Sequence, residues 1–138
     1  MRRSRMSRRP TARLAASNRE WRETARDVIL ARDQWQCIVC GRLTRLAHHR
    51  VPRQMGGRTH DPDVHSPDRG IAVCQRHHDR IETLERADAY RWGWLVPSGI
   101  DPATWPVYYQ AEHTWYLLDP AGRRHQVAAD VALGRVTP

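Results

Sequence analysis

The stretch from Cys37 to Glu82 constrains this chain more than any other. It opens with Cys37-Ile38-Val39-Cys40 and closes with Cys74-Gln75-Arg76-His77, followed at once by His78 and, four residues on, Glu82. All three cysteines of the 138-residue chain lie inside it, with six of the eight histidines. A two-residue gap lets a tight turn aim two side chains at one point, and two such turns supply the corners of a tetrahedron. Cys37, Cys40, Cys74 and His77 form the sulfur and nitrogen set that zinc takes in closed structural sites. Such an ion contributes roughly 10–16 kcal/mol of apparent binding energy that is also folding energy. That matters in a chain too short to bury a large core. Three thiols leave one out of any disulfide scheme, so a reducing, cytoplasmic setting is expected.

A second set is interleaved with the first: His48, His49, His78 and Glu82. The zinc needs none of them. His48 and His49 are neighbours on an expected strand, where neighbours face opposite ways, so they are expected to do different jobs. His78 and Glu82 are four apart on an expected helix and share a face. Glu82 also precedes Arg86 by four, which suits a plain surface ion pair equally well. His60 and His65, in the loop between, read as surface histidines.

The net charge is +8, from 23 basic and 15 acidic residues, with a pI near 10.6. That excess favours an anionic partner, most simply nucleic acid. Every basic residue is Arg, Phe is absent and Asn18 is the lone Asn. A GC-rich coding sequence explains that choice, but it leaves the excess of positive charge standing. No apolar run approaches the roughly 18 residues that would span a membrane, so no membrane partner is expected. The Arg-rich start lacks the apolar stretch of a secretory signal.

Three regions follow along the chain. Residues 1–16 read as a basic tail without fixed structure, available to lie along phosphates. Residues 17–91 form the core. Ser17 with Glu20 gives a capping box for a helix to Arg32, with Trp21, Ala25, Val28 and Ile29 on one face. The first ligand turn follows, with Trp35 expected over it. Then come a strand within Leu43 to Val51, a long loop from Arg53 to Gly70 with turns at Gly56-Gly57, a short strand from Gly70 to Val73, and a helix from Arg76 to Arg91. Residues 92–138 change character. Short apolar runs at Trp94-Leu95-Val96, Pro106 to Tyr109 and Thr114 to Leu118, a turn at Asp119 to Gly122 and a returning strand from Arg123 to Val127 predict a small β-meander packed on the core. Its aromatic residues are expected to serve mainly as core.

On these motifs the chain resembles the HNH endonucleases, especially the small phage-type ones. Their pattern runs C-x2-C, then His or Asp followed by His, with Pro-Arg and Gly-Gly soon after, then Asn and an apolar run into C-x2-C-H-x3-H. Pro52-Arg53, Gly56-Gly57 and the His48-His49 pair fit it. The resemblance implies an α+β fold: a ββα-metal finger with structural zinc, here with an N-terminal helix and the C-terminal meander. It implies a metal-dependent DNA endonuclease that enters the minor groove of double-stranded DNA. His49 would be the general base. His48, His78 and Glu82 would hold a catalytic divalent ion, Mg2+ or Mn2+ given the carboxylate. Family members of this size often accompany phage packaging proteins, which makes those possible partners. Two positions depart from the pattern. The Asn that helps orient the base is replaced by Arg69, preceded by Asp68, whose carboxylate is the expected substitute. The last His is Glu82. The other function considered is a non-catalytic zinc module binding DNA or RNA, which would need neither His48 nor His49. A redox role for Cys37 and Cys40 leaves Cys74 and His77 unexplained.

Overall fold

The computed structural model describes residues 9–52 and 60–134. Arg53, Gly56 and Gly57 of the expected loop lie outside them.

The helix expected from Ser17 starts earlier. Thr11 is its N-cap, its hydroxyl accepting from the Leu14 N–H at 3.2 Å, and α1 covers Ala12–Glu20. A π-turn, Trp21–Ala25, joins it to α2, Arg26–Arg32. The extra residue matters for packing. In an unbroken α-helix Ile29 would sit about 80° around the axis from Trp21, but one inserted residue brings it to within about 20°. Trp21 therefore shares a face with Ile29, and it packs against the cluster of Ile29, Leu30, Ala47 and Ala72.

Strand β1, Ala47–His49, pairs antiparallel with β2, Gly70–Ala72, in the register Ala47 to Ala72 and His49 to Gly70. Both strands are shorter than expected. Helix α2 lies against them so closely that a Cβ on Gly70 would meet Ile29 Cδ1 at 2.2 Å. Asp33, buried at the end of α2, locks this contact. Its carboxylate takes both Arg32 Nε and Nη2 at 2.9 Å, the Ala72 N–H at 2.9 Å and the Tyr109 hydroxyl at 2.5 Å. A buried carboxylate with four donors is fully satisfied.

Helix α3 spans Gln75–Glu82, but the expected run to Arg91 is broken. Thr83 leaves helical geometry, Leu84 is 85% exposed, and α4 resumes at Arg86–Arg91. The C-terminal part is the expected antiparallel meander: β3, Val107–Tyr109; β4, Thr114–Leu118; and β5, Arg124–Val127. A short helix, α5, follows at Ala129–Gly134. Trp94-Leu95-Val96, expected as a strand, is buried but irregular. Gly93 explains this: it has φ +73°, and a Cβ there would fall 1.9 Å from the Pro106 carbonyl oxygen. The main core joins Ile38, Ile71, Val73, Ile81, Leu95, Val107 and Leu118, so the meander and the ligand-bearing segment share one interior. The fold is mixed α+β with two small antiparallel sheets. Among the described residues no helix is long and apolar enough to cross a membrane.

Candidate metal centre and histidine cluster

The first ligand turn is built by backbone bonds: Gly41 N–H to the Cys37 carbonyl at 2.8 Å and Cys37 N–H to the Arg42 carbonyl at 2.7 Å. Gly41, at φ +78°, takes the left-handed step that closes it. The second pair comes from a helix start. Cys74 is the N-cap of α3 and His77 stands in its first turn. The four side chains converge, their ligand atoms all within 4.8 Å of one another. Cys40 Sγ is 3.9 Å from Cys74 Sγ, and His77 Nδ1 is 3.8 Å from Cys37 Sγ and 3.0 Å from Cys74 Sγ. A tetrahedral ion with Zn–S bonds of about 2.3 Å has an S···S edge of about 3.8 Å. The group could therefore hold a metal ion such as zinc.

Its protonation chemistry agrees. Burial pushes the Cys37 thiol up to about 11, so leaving water as a bare thiolate is unfavourable and a cation would reverse that. Burial also pulls Cys74 upward, but the His77 backbone N–H and the Cys40 and Cys37 side chains outweigh it and leave Cys74 below its ordinary value. Burial lowers His77. Glu85 opposes this, but the cationic Arg76, Arg80 and Arg42 add to the fall, keeping the ring in the neutral form that binds metal.

The second set divides as the strand alternation requires. His48 turns inward to α3, where His78 and Glu82 meet it. The three offer ligand atoms within 4.8 Å of one another. The His48 and His78 rings are 5.2 Å apart, edge to face, and His48 Nδ1 is 3.6 Å from Glu82 Oε1. The other Glu82 oxygen faces Arg86 at 3.5 Å, so the expected surface pair exists alongside this approach, at two exposed side chains where it adds little stability. Two buried ring nitrogens, His48 Nε2 and His78 Nδ1, have no hydrogen-bond partner among the described residues. An unpaired buried polar atom is costly; a cation held among these three residues would take one nitrogen of each ring, and for His48 the nitrogen that faces Glu82 is Nδ1. Burial first, then the neighbouring His78, lower His48 to about 3; a backbone contact with Trp94 opposes this, and the cationic Arg50 and Arg86 add to the fall. It is neutral throughout the physiological range, the form that could ligate a metal.

His49 turns to the other side. It stacks on Trp21, with ring centroids 3.9 Å apart at 30°. The expected orienting carboxylate is elsewhere: Asp68 accepts from the Ser66 hydroxyl, and Arg69, standing in the place of the family's Asn, reaches Asp61 at 2.6 Å. Neither bonds to His49. Among the described residues His65 does, its Nδ1 3.3 Å from His49 Nε2. His65 is 5% exposed, not a surface histidine. His60 is exposed, as expected. Trp35, expected over the ligand turn, stays partly open to solvent. It has φ +57°, is 38% exposed, and borders a shallow groove with Leu43, Thr44 and Arg45.

Arg50, next in the chain, is the other residue missed. It is fully buried, and its guanidinium donates to four carbonyls, those of Gly93 at 2.8 Å, Asp68 at 2.6 Å, Trp105 at 2.6 Å and Pro102 at 3.3 Å. No family model, curated protein or solved structure matches this chain.

Proposed function

We propose that the protein is a metal-dependent DNA endonuclease of the HNH type. In this reading β1, β2 and α3 are a ββα-metal finger stapled by zinc on Cys37, Cys40, Cys74 and His77. The observation that carries the reading is the second cluster. A zinc module has no use for His48, His78 and Glu82 meeting beside the first site. A divalent ion there would neutralise charge on a scissile phosphate and on the leaving 3′ oxygen. His48, His78 and Glu82 would hold it. His49, half-buried and braced against Trp21, would take the proton of the attacking water. The excess of Arg would bring double-stranded DNA to the site, with phage packaging proteins as possible partners.

Plasmid relaxation by purified, zinc-loaded protein tests this. Nicking is expected with Mg2+ or Mn2+ and not with EDTA. His49→Gln should lower the rate by about 10²–10⁴-fold, the contribution of a general base, with zinc content and DNA affinity unchanged. Absence of nicking with every divalent metal, alongside intact DNA binding, would leave the non-catalytic zinc module as the function.

A further inference from the structure

The hydrogen-bond geometry points to His65 as a positioning residue: held by Ser17 of α1, it fixes His49 in the tautomer whose Nε2 carries the proton. The inference rests on the reading of His49 as the base, and the chain of bonds that supports it can be followed atom by atom. His65 Nε2 lies 2.8 Å from the Ser17 carbonyl oxygen and 2.9 Å from the Ser17 hydroxyl. A carbonyl can only accept, so His65 Nε2 must carry a proton. In a neutral imidazole the other nitrogen is then a bare acceptor. His65 Nδ1 faces His49 Nε2 at 3.3 Å, so His49 Nε2 is the donor of that bond. This leaves Nδ1 as the nitrogen of His49 that carries the lone pair. The tautomer of a histidine is set by the bond its other nitrogen makes.

The packing holds this arrangement in place. Trp21 stacks on His49 and lies 5.4 Å from the His65 ring, with the two histidine rings 5.5 Å apart. Ser17 and Trp21 are four residues apart and so share a face of the N-terminal helix. The π-turn starting at Trp21 keeps that face in phase with the apolar face of α2. Turns of this kind recur at functional sites. The N-terminal helix thus supplies two of the groups that set His49, and His65 occupies the role expected of Asp68.

The test uses the full chain, zinc-loaded and labelled with 15N-histidine. Two-bond 1H–15N correlation spectra at neutral pH read which ring nitrogen of His49 is protonated. The wild type is expected to show His49 with its proton on Nε2. His65→Leu should give mixed His49 tautomers and slow metal-dependent nicking by about 10–100-fold, the usual cost of losing an orienting partner, at unchanged zinc content. His65→Gln, whose amide oxygen can accept from His49 Nε2, should restore the tautomer and most of the rate. A merely structural role would not show that rescue together with a tautomer shift. A wild-type His49 protonated on Nδ1, or a His65→Leu variant with the wild-type tautomer and rate, would overturn the assignment. The wild-type spectrum decides the point even if His65→Leu fails to fold. If no variant nicks DNA, the nuclease reading is what fails, and the spectra still decide the hydrogen bond.

Discussion

Replacing Arg50 by Met should be the most damaging single change outside the proposed zinc ligands. The aliphatic part of the side chain is kept, so the loss is mainly of the guanidinium. Four carbonyls, from Asp68, Gly93, Pro102 and Trp105, would lose a donor in a site where Arg50 itself is 0% exposed. A hydrogen bond to a charged group contributes about 1.5–3 kcal/mol, and stranding a buried acceptor costs about 1–3 kcal/mol. Because neighbouring losses are not additive, we take on the order of 5 kcal/mol for the set rather than the sum. Domains of this size have roughly 5–15 kcal/mol in total. The melting temperature should therefore fall by roughly 15 °C or more, read by circular dichroism with zinc at a fixed excess. Arg50→Lys should recover only a minor part, since one ammonium cannot direct donors at carbonyls on several sides of a planar fork. The C-terminal meander should loosen with the rest, because Gly93, Pro102 and Trp105 join it to the residue that follows His48-His49. An Arg50→Met protein melting within about 3 °C of wild type would refute this account of the guanidinium.

Cys74→Ser should lose the tightly held zinc, checked by elemental analysis, and destabilise the fold by several kcal/mol, given the size of structural zinc contributions. Glu82→Gln should shift metal preference in the nicking assay away from Mg2+ and Mn2+, since a carboxylate favours these hard ions. An unchanged preference would make Glu82 only the partner of Arg86. For pH dependence, the folded value of His48, about 3, lies below its ordinary 6.5, so the unfolded chain binds the proton more readily. Stability from keeping this ring neutral is fully present above pH 6.5 and lost as pH falls towards 3, at no more than about 1.4 kcal/mol per unit. Urea titrations at several pH values in this window, in the absence of added divalent metal, should show wild type losing stability faster than His48→Gln.

The convergence of Cys37, Cys40, Cys74 and His77 was legible because its logic is local: two-residue gaps at a turn and at a helix start need no knowledge of the rest of the chain. The second cluster was legible for the same reason, through the four-residue spacing of His78 and Glu82 and the alternation of His48 and His49. His65 was not, because its partners are 48 residues away at Ser17 and 16 away at His49, and nothing near it in sequence separates it from exposed His60. Arg50 was hidden by composition, one Arg among 23 in a chain without Lys. Leu84 misled in the opposite direction. It fits the apolar period of one long helix, yet it lies exposed at the break between α3 and α4. Trp94-Leu95-Val96 reads as a strand by residue type, but the left-handed step at Gly93 removes it from any ladder.

His77 and His78 are consecutive on α3, one belonging to each cluster, and this bears on how chelators act. On the proposed nuclease reading, a chelator that strips a weakly held divalent ion from the second cluster would work at once and be reversed by adding metal back. One that slowly extracts zinc from the first would release Cys74 and His77, free the first turn of α3 and carry His78 and Glu82 out of place. Inhibition by EDTA should therefore have two phases. The first is rescued by Mg2+ or Mn2+ alone, and the second only when zinc is supplied before them. The order in which the two metals are returned then becomes a probe of which site was emptied.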